Sequence, residues 1–264
     1  MNEFAAKFKK AVRANFDKSD KQYEAFEANS GHFTRLTEYL WDYVKESQMV
    51  KPDGNNKSLT ILDVGCGNGC STKKLQEIFP GATVYGLDFS EPMLELAREN
   101  CPEAKLVQGD GEKLDEYFAP QFFDLVFYNA SIFIMPDQKT SLESAIRVLK
   151  PGGVVAASVL LGLSELDHTP VESLPAYAGI IKNQELPELF KELFSPSDAK
   201  MLRIPLAPET LRELYSITAL SSGLFPKLPY EERLSALDRL IEEVKQKDLT
   251  LTQDWLLVFG KKTA

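Results

Sequence analysis

The chain has 264 residues, 44% of them hydrophobic and 26% charged, with a formal net charge of −9. That is the make-up of a soluble globular protein with room for one large α/β domain, or for a core carrying a sizeable insertion. Lysines and arginines are scattered among acids, as at Lys191-Glu192, so no clustered basic face marks nucleic acid as a partner.

In chain order, the N-terminus mixes Glu3 with Lys7, Lys9 and Lys10 and has no apolar core, which does not read as a signal peptide. Phe4, Phe8, Val12 and Phe16 recur every four residues, and Phe33, Leu36, Leu40 and Tyr43 form a second stripe. Both predict helices within an N-terminal segment covering 1–50. A polar loop, Lys51 to Lys57, leads into a stretch where strands and helices alternate. Strands are predicted at 59–64, 82–88, 104–109, 122–129 and 153–160, and helices at 70–79, 91–100, 112–118 and 138–149. Ser90 suits an N-cap, with Pro92 in the first turn. Such alternation predicts a Rossmann-like, doubly wound, mostly parallel sheet with helices on both faces and ligands at the carboxyl ends of its strands. The longest apolar run, Val154 to Leu163, is too short to span a bilayer.

After residue 160 the texture changes. Eight of the fifteen prolines fall between Pro170 and Pro229, and helical pieces are predicted at 187–194, 208–220 and 230–246. Residues 161–250 therefore read as an inserted helical cap on the substrate side. The run Gln253 to Lys262 closes the chain as a strand, which makes 51–160 with 251–264 the core.

Within that core, Leu59 to Gly69 carries the strongest signal. A short apolar strand runs into Asp63-x-Gly65-x-Gly67-x-Gly69 and then a helix. Such glycines let backbone turn tightly and approach a ligand. Cys70 stands where a dinucleotide fingerprint would place its third glycine. Asp88, 23 residues after Gly65 and at the end of the second strand, can accept both hydroxyls of a ribose; nicotinamide enzymes use the same device. Asp110, between Gly109 and Gly111 and followed by Glu112, can accept from the exocyclic amine of adenine.

With Phe123-Asp124…Asn129-Ala130, Val148-Leu149-Lys150-Pro151-Gly152-Gly153 and Trp255…Phe259-Gly260-Lys261, these motifs resemble the class I S-adenosylmethionine-dependent methyltransferases. The look is that of their small-molecule, type 11 branch. The resemblance covers 59–160 and returns at 253–262. It implies S-adenosyl-L-methionine as cofactor and a last strand antiparallel to the rest. It also implies donor contacts from Asp63, Gly65, Cys66, Gly67, Gly69, Asp88, Phe89, Met93, Asp110, Gly111, Glu112, Asn129 and Ala130. The expected acceptor is a small molecule, neutral or partly apolar, reached without nucleic acid or membrane in a cytoplasmic protein; a homodimer is left open.

Two departures stand out. The histidine pair that many members place after the fourth strand is replaced by Ser131 to Asp137, and a sixth strand is wanting, with Leu220 to Leu228 as its candidate. No catalytic residue is assigned. His168, His32 and Tyr23 are the candidates, each with an ordinary alternative: a solvated or capping histidine, or an aromatic packed in a helical core. No metal is expected, because Cys66, Cys70 and Cys101 with two histidines supply no second ligand pair. Two other readings stay open: a nicotinamide-dependent oxidoreductase and a catalytically silent S-adenosylmethionine-binding protein. Residues 161–250, together with 1–45, are expected to line the acceptor side, and the motifs to line the donor side alone.

Overall fold

A computed structural model describes residues 3–50, 59–166 and 183–263. Three helices lead: α1 Glu3–Phe16, α2 Asp20–Ser30 and α3 His32–Glu46. The core follows as β1 Thr60–Val64, α4 Cys70–Ile78, β2 Thr83–Asp88, α5 Glu91–Asn100, β3 Lys105–Gln108, α6 Leu114–Tyr117, β4 Phe123–Asn129, α7 Gln138–Val148 and β5 Leu149–Glu165. The remainder is α8 Leu186–Leu193, β6 Ser197–Leu206, α9 Pro208–Ser216, α10 Thr218–Leu224, α11 Tyr230–Gln246 and β7 Leu251–Lys261.

The seven strands form one sheet in the order β3-β2-β1-β4-β5-β7-β6. β1 to β5 run parallel, and β7 lies antiparallel between β5 and β6. Alternation along each central strand divides the core. Ile61, Leu125, Phe127, Val154 and Ala156 face α3, α4 and the helices after β6. Leu62, Val126, Tyr128, Val155 and Ala157 face α7 and α8. Strands buried on both faces explain why these runs are apolar throughout. From β1 the sheet grows outward both ways, to β2 on one flank and β4 on the other, so the ends of these strands open a crevice.

The sixth strand corrects the sequence reading. It is Ser197–Leu206, inside the range predicted as helical cap, whereas Leu220 to Leu228 falls in α10 and the turn after it. β6 is an edge strand that pairs with β7. It carries Asp198, Lys200 and Arg203, and Met201 is 45% exposed. Charged residues on an edge discourage pairing with other chains, and they also erase the apolar alternation that signals a strand. In α10, Ala219, Ser221 and Leu224 are buried, which is what the apolar residues there serve.

Candidate donor and acceptor site

The glycine loop sits between β1 and α4, and each glycine has a different reason to be there. Gly65, Gly67 and Gly69 all have positive φ, at 74°, 54° and 85°. A Cβ on Gly65 would lie 2.5 Å from that of Ser131, and one on Gly69 would lie 3.1 Å from the Ala97 backbone. These two glycines allow the protein to pack on itself. At Gly67 a Cβ would meet nothing within 4 Å. That face of the loop is open beside the carboxylate expected to hold a ribose.

Asp88 is half-buried at the end of β2. Its Oδ2 accepts from the Gly67 N–H at 2.8 Å and its Oδ1 from the Ser90 N–H at 2.8 Å, so the carboxylate shapes the loop. Burial pushes its pKa up, against backbone N–H groups of Ser90, Gly67 and Phe89 that favour the anion. Ser90 caps α5 as expected, accepting from the Met93 N–H, and the Met93 side chain is buried in the core.

Asp63 is fully buried. Its Oδ2 accepts from Ser71 Oγ at 2.5 Å and Thr72 Oγ1 at 2.7 Å, which ties β1 to the first turn of α4. The other oxygen, Oδ1, has no partner among the described residues. A buried, unpartnered acceptor beside an open loop is what a ligand donor would complete. Cys66 is buried behind the loop, where a Cβ on Gly86 would come 2.9 Å from its sulfur. Gly111 packs on Met135, 2.5 Å from where its Cβ would be; its lack of a side chain serves the protein's own packing.

Asn129 ends β4 but is fully engaged. Its amide donates to Phe33 O at 3.0 Å and to Thr37 Oγ1 at 2.9 Å, and its oxygen accepts from Ser158 Oγ at 2.9 Å. It fastens α3 across the strand ends. Ala130 follows with φ 53°, its N–H held by Ser158 Oγ.

The N-terminal helices reach the glycine loop and the strand-end motifs. Glu24 accepts from the Asn68 side chain in the glycine loop at 2.6 Å. Asp17 accepts from Ser90 Oγ at 2.6 Å, and Arg13 lies over the Phe89 ring, 5.1 Å from its centre. Lys9 pairs with Asp110 and Glu112 at 2.5 and 2.7 Å. Sequence patterning assigned these helices by their apolar stripes; the polar residues that reach the motifs have no local signature.

Beyond the loop lies a ring cluster. Tyr23 stacks on Phe33 at 4.8 Å, His32 meets Phe33 edge-on at 5.0 Å, and Phe26 packs on both His32 and Phe33. Burial, with Cys70 and Glu27 nearby, pushes the Tyr23 phenol well above its ordinary pKa, so it stays protonated. His32 is buried and its Nε2 lies 2.8 Å from Gln253 Oε1. Trp255 Nε1 donates to the same oxygen at 3.1 Å, and Gln253 Nε2 donates to Tyr215 Oη at 3.0 Å. An indole N–H only donates, so the amide orientation is fixed, and His32 must carry its proton on Nε2. The imidazole lone pair is then on Nδ1. Gln253 is a residue that sequence reasoning missed: it reads there as one position of a strand. His168 lies outside the described residues.

Burial lowers the His32 pKa to about 4, while burial raises that of Asp63 to about 6. Their linkage signs oppose. Asp63 binds more proton folded than unfolded, so its stabilising contribution is present below about pH 4 and is lost as pH rises through about 6. His32 binds less proton folded, so its contribution is present above about pH 6.5 and is lost as pH falls through about 4. In the wild-type chain the two offset over pH 4–6.5. Asp63→Asn should therefore lose stability more steeply on acidification than wild type, and His32→Gln less steeply, each by on the order of 2 kcal/mol. Urea unfolding at several pH values across this window checks it; parallel curves for all three proteins would refute it.

Residues 62–157 match the family described as "Methyltransferase domain". The matched stretch runs from β1 into β5 of the core. The chain is 37% identical over 116 residues to the trans-aconitate 2-methyltransferase of Azoarcus sp. (strain BH72), covering 44% of this chain and 45% of that protein. It thus spans about half the length of the curated relatives it matches. The structure of MccD protein aligns with a TM-score of 0.55 at 19% identity, covering 85% of this chain and 97% of that one. Phosphoethanolamine N-methyltransferase 2 of Haemonchus contortus, solved with S-adenosyl-L-methionine, aligns with a TM-score of 0.50 at 21% identity, covering 78% and 49%. At these identities the solved structures share the fold, and the expected Rossmann-like sheet with its antiparallel last strand is what this chain has. Among the described residues no helix is long and apolar enough to cross a membrane.

Proposed function

We propose that this chain transfers the methyl group of S-adenosylmethionine to a small acceptor that is neutral or partly apolar. The observation that carries the proposal is the open face of Gly67 beside the Asp88 carboxylate, at the strand ends of a methyltransferase domain. When bound, the donor supplies a sulfonium whose methyl group is already activated toward in-line displacement. Catalysis then asks alignment and exclusion of water from the protein, more than acid–base strength.

The residues fit such a ligand. Asp88 would hold the ribose hydroxyls, with the Gly67 backbone approached closely. The orphan Oδ1 of Asp63 would take an N–H donor, and Asp110 with Phe89 would hold the adenine. Tyr23 and Phe33 present stacked rings to which a cation is attracted. His32, neutral and fixed as the Nε2–H tautomer, has its lone pair on Nδ1, which can accept a hydrogen bond from a hydroxyl or amine of the acceptor. Rings and a neutral imidazole favour a neutral or partly apolar acceptor, with the described helices after β6 on the substrate side. Three unpaired thiols suit a reducing, cytoplasmic setting. The strand order, with β7 reversed inside the sheet, disfavours a nicotinamide oxidoreductase of the all-parallel dinucleotide type.

Calorimetry should find S-adenosylmethionine and S-adenosylhomocysteine binding at micromolar strength, with NAD and NADP undetected. Tight nicotinamide binding with no response to the methyl donor would sink the donor assignment. Labelled methyl donor with a small-metabolite extract, read by product mass, tests turnover. Binding without any methylated product would favour the silent-binder reading. Methylation of trans-aconitate would overturn the neutral-acceptor part alone.

A further inference from the structure

Helix α1 is held in an unusual way for an element lying over the carboxyl ends of β2 and β3. None of its residues is buried, and Phe4 and Phe8 are 71% and 37% exposed. Its docking is polar. Lys9 reaches Asp110 and Glu112, Arg13 covers Phe89, and Asn15 Nδ2 donates to Ser222 Oγ at 3.2 Å. Just past its end, Asp17 holds Ser90. A helix fastened by polar contacts, with no buried apolar face, opens more cheaply than one seated in a core.

The Lys9 side chain is 12% exposed, and its ammonium lies between two carboxylates that are each half committed elsewhere. Asp110 Oδ1 accepts from the Glu112 N–H at 3.0 Å, which leaves Oδ2 to Lys9. Glu112 Oε1 accepts from the Asp137 N–H at 2.8 Å, which leaves Oε2 to Lys9. Burial works against the ammonium, but Asp110 and Glu112 more than offset it, so its pKa rises and the charge is retained.

We infer that Lys9 is a donor-site residue that couples occupancy of the adenine end to docking of α1. It places an ammonium on the oxygen of Asp110 that the exocyclic amine of adenine would use, and Glu112 keeps it when that amine arrives. This rests on the donor reading above. Without donor, the Lys9–Asp110 contact latches α1 across the crevice and slows entry. With donor, Lys9 stays on Glu112, so the strap remains over the ligand and slows its release.

The test uses full-length Lys9→Met, which keeps the aliphatic stem, and Glu112→Gln. In donor-free protein, hydrogen exchange over residues 3–16 should speed up on the order of tenfold in Lys9→Met. Stopped-flow association of S-adenosylhomocysteine should quicken by a similar factor and lose its dependence on salt, and dissociation should quicken as well. In wild type, association should speed up with salt, because screening loosens the latch. Glu112→Gln should leave α1 protected without donor and expose it when donor binds. Unchanged α1 exchange and unchanged association in a Lys9→Met protein that still binds S-adenosylhomocysteine would overturn the inference and leave the donor reading intact. Failure of the wild-type chain to bind S-adenosylhomocysteine would overturn both.

Discussion

Replacing Gly67 with valine is expected to abolish donor binding while the chain stays folded. The added Cβ would meet no protein atom within 4 Å, so nothing in the fold resists it sterically. The backbone does resist, because φ is 54° and a β-branched residue in that region costs about 1–2 kcal/mol. A domain of this size has enough stability to carry such a loss. On the proposed function, the space the side chain would fill is where the donor approaches the loop. Calorimetry should therefore show affinity for S-adenosylhomocysteine falling by more than about 100-fold, roughly 3 kcal/mol. Circular dichroism should show a folded protein that melts a few degrees lower. Unchanged affinity in the folded variant would mean that the backbone never approaches the donor, and the glycine-loop reading would have to go.

Asp88→Ala is expected to cost about 2–3 kcal/mol of donor binding, because a carboxylate accepting from two hydroxyls makes charge-assisted bonds. Part of that loss comes through the loop, since Asp88 also holds the Gly67 and Ser90 N–H groups. Asp88→Asn separates the two contributions. Its amide oxygen can keep one backbone bond but lacks the charge, so its affinity should fall between those of wild type and the alanine variant. A loss below about half a kcal/mol in Asp88→Ala would place the ribose elsewhere.

Much of this molecule is legible in its sequence. The strands read at 59–64, 82–88 and 122–129 are Thr60–Val64, Thr83–Asp88 and Phe123–Asn129, and the helix at 91–100 is Glu91–Asn100, with the Ser90 cap in place. These elements are buried on both faces or capped by their own neighbours, so their determinants lie within a few residues of one another. Ser197–Leu206 was not legible, because an exposed edge strand is written in charges. Nor was the site's polar wiring. Lys9 and Asp110 are 101 residues apart, and His32 and Gln253 are 221 apart.

The sequence by itself determined the alternating core, the glycine loop with its strand-end acids, and the family those motifs resemble. Turn geometry, apolar periodicity and capping are short-range properties, and a chain states them locally. Only the tertiary structure decided that Gly67 alone of the three loop glycines has its Cβ face open, and that Asn129 is spent on fastening α3. It likewise decided that the Asp110 expected to meet adenine is held by a lysine from the first helix. Each of these depends on which groups share a small volume after folding, and the matching of donors to acceptors across such distances is settled by packing and burial, which no local pattern records.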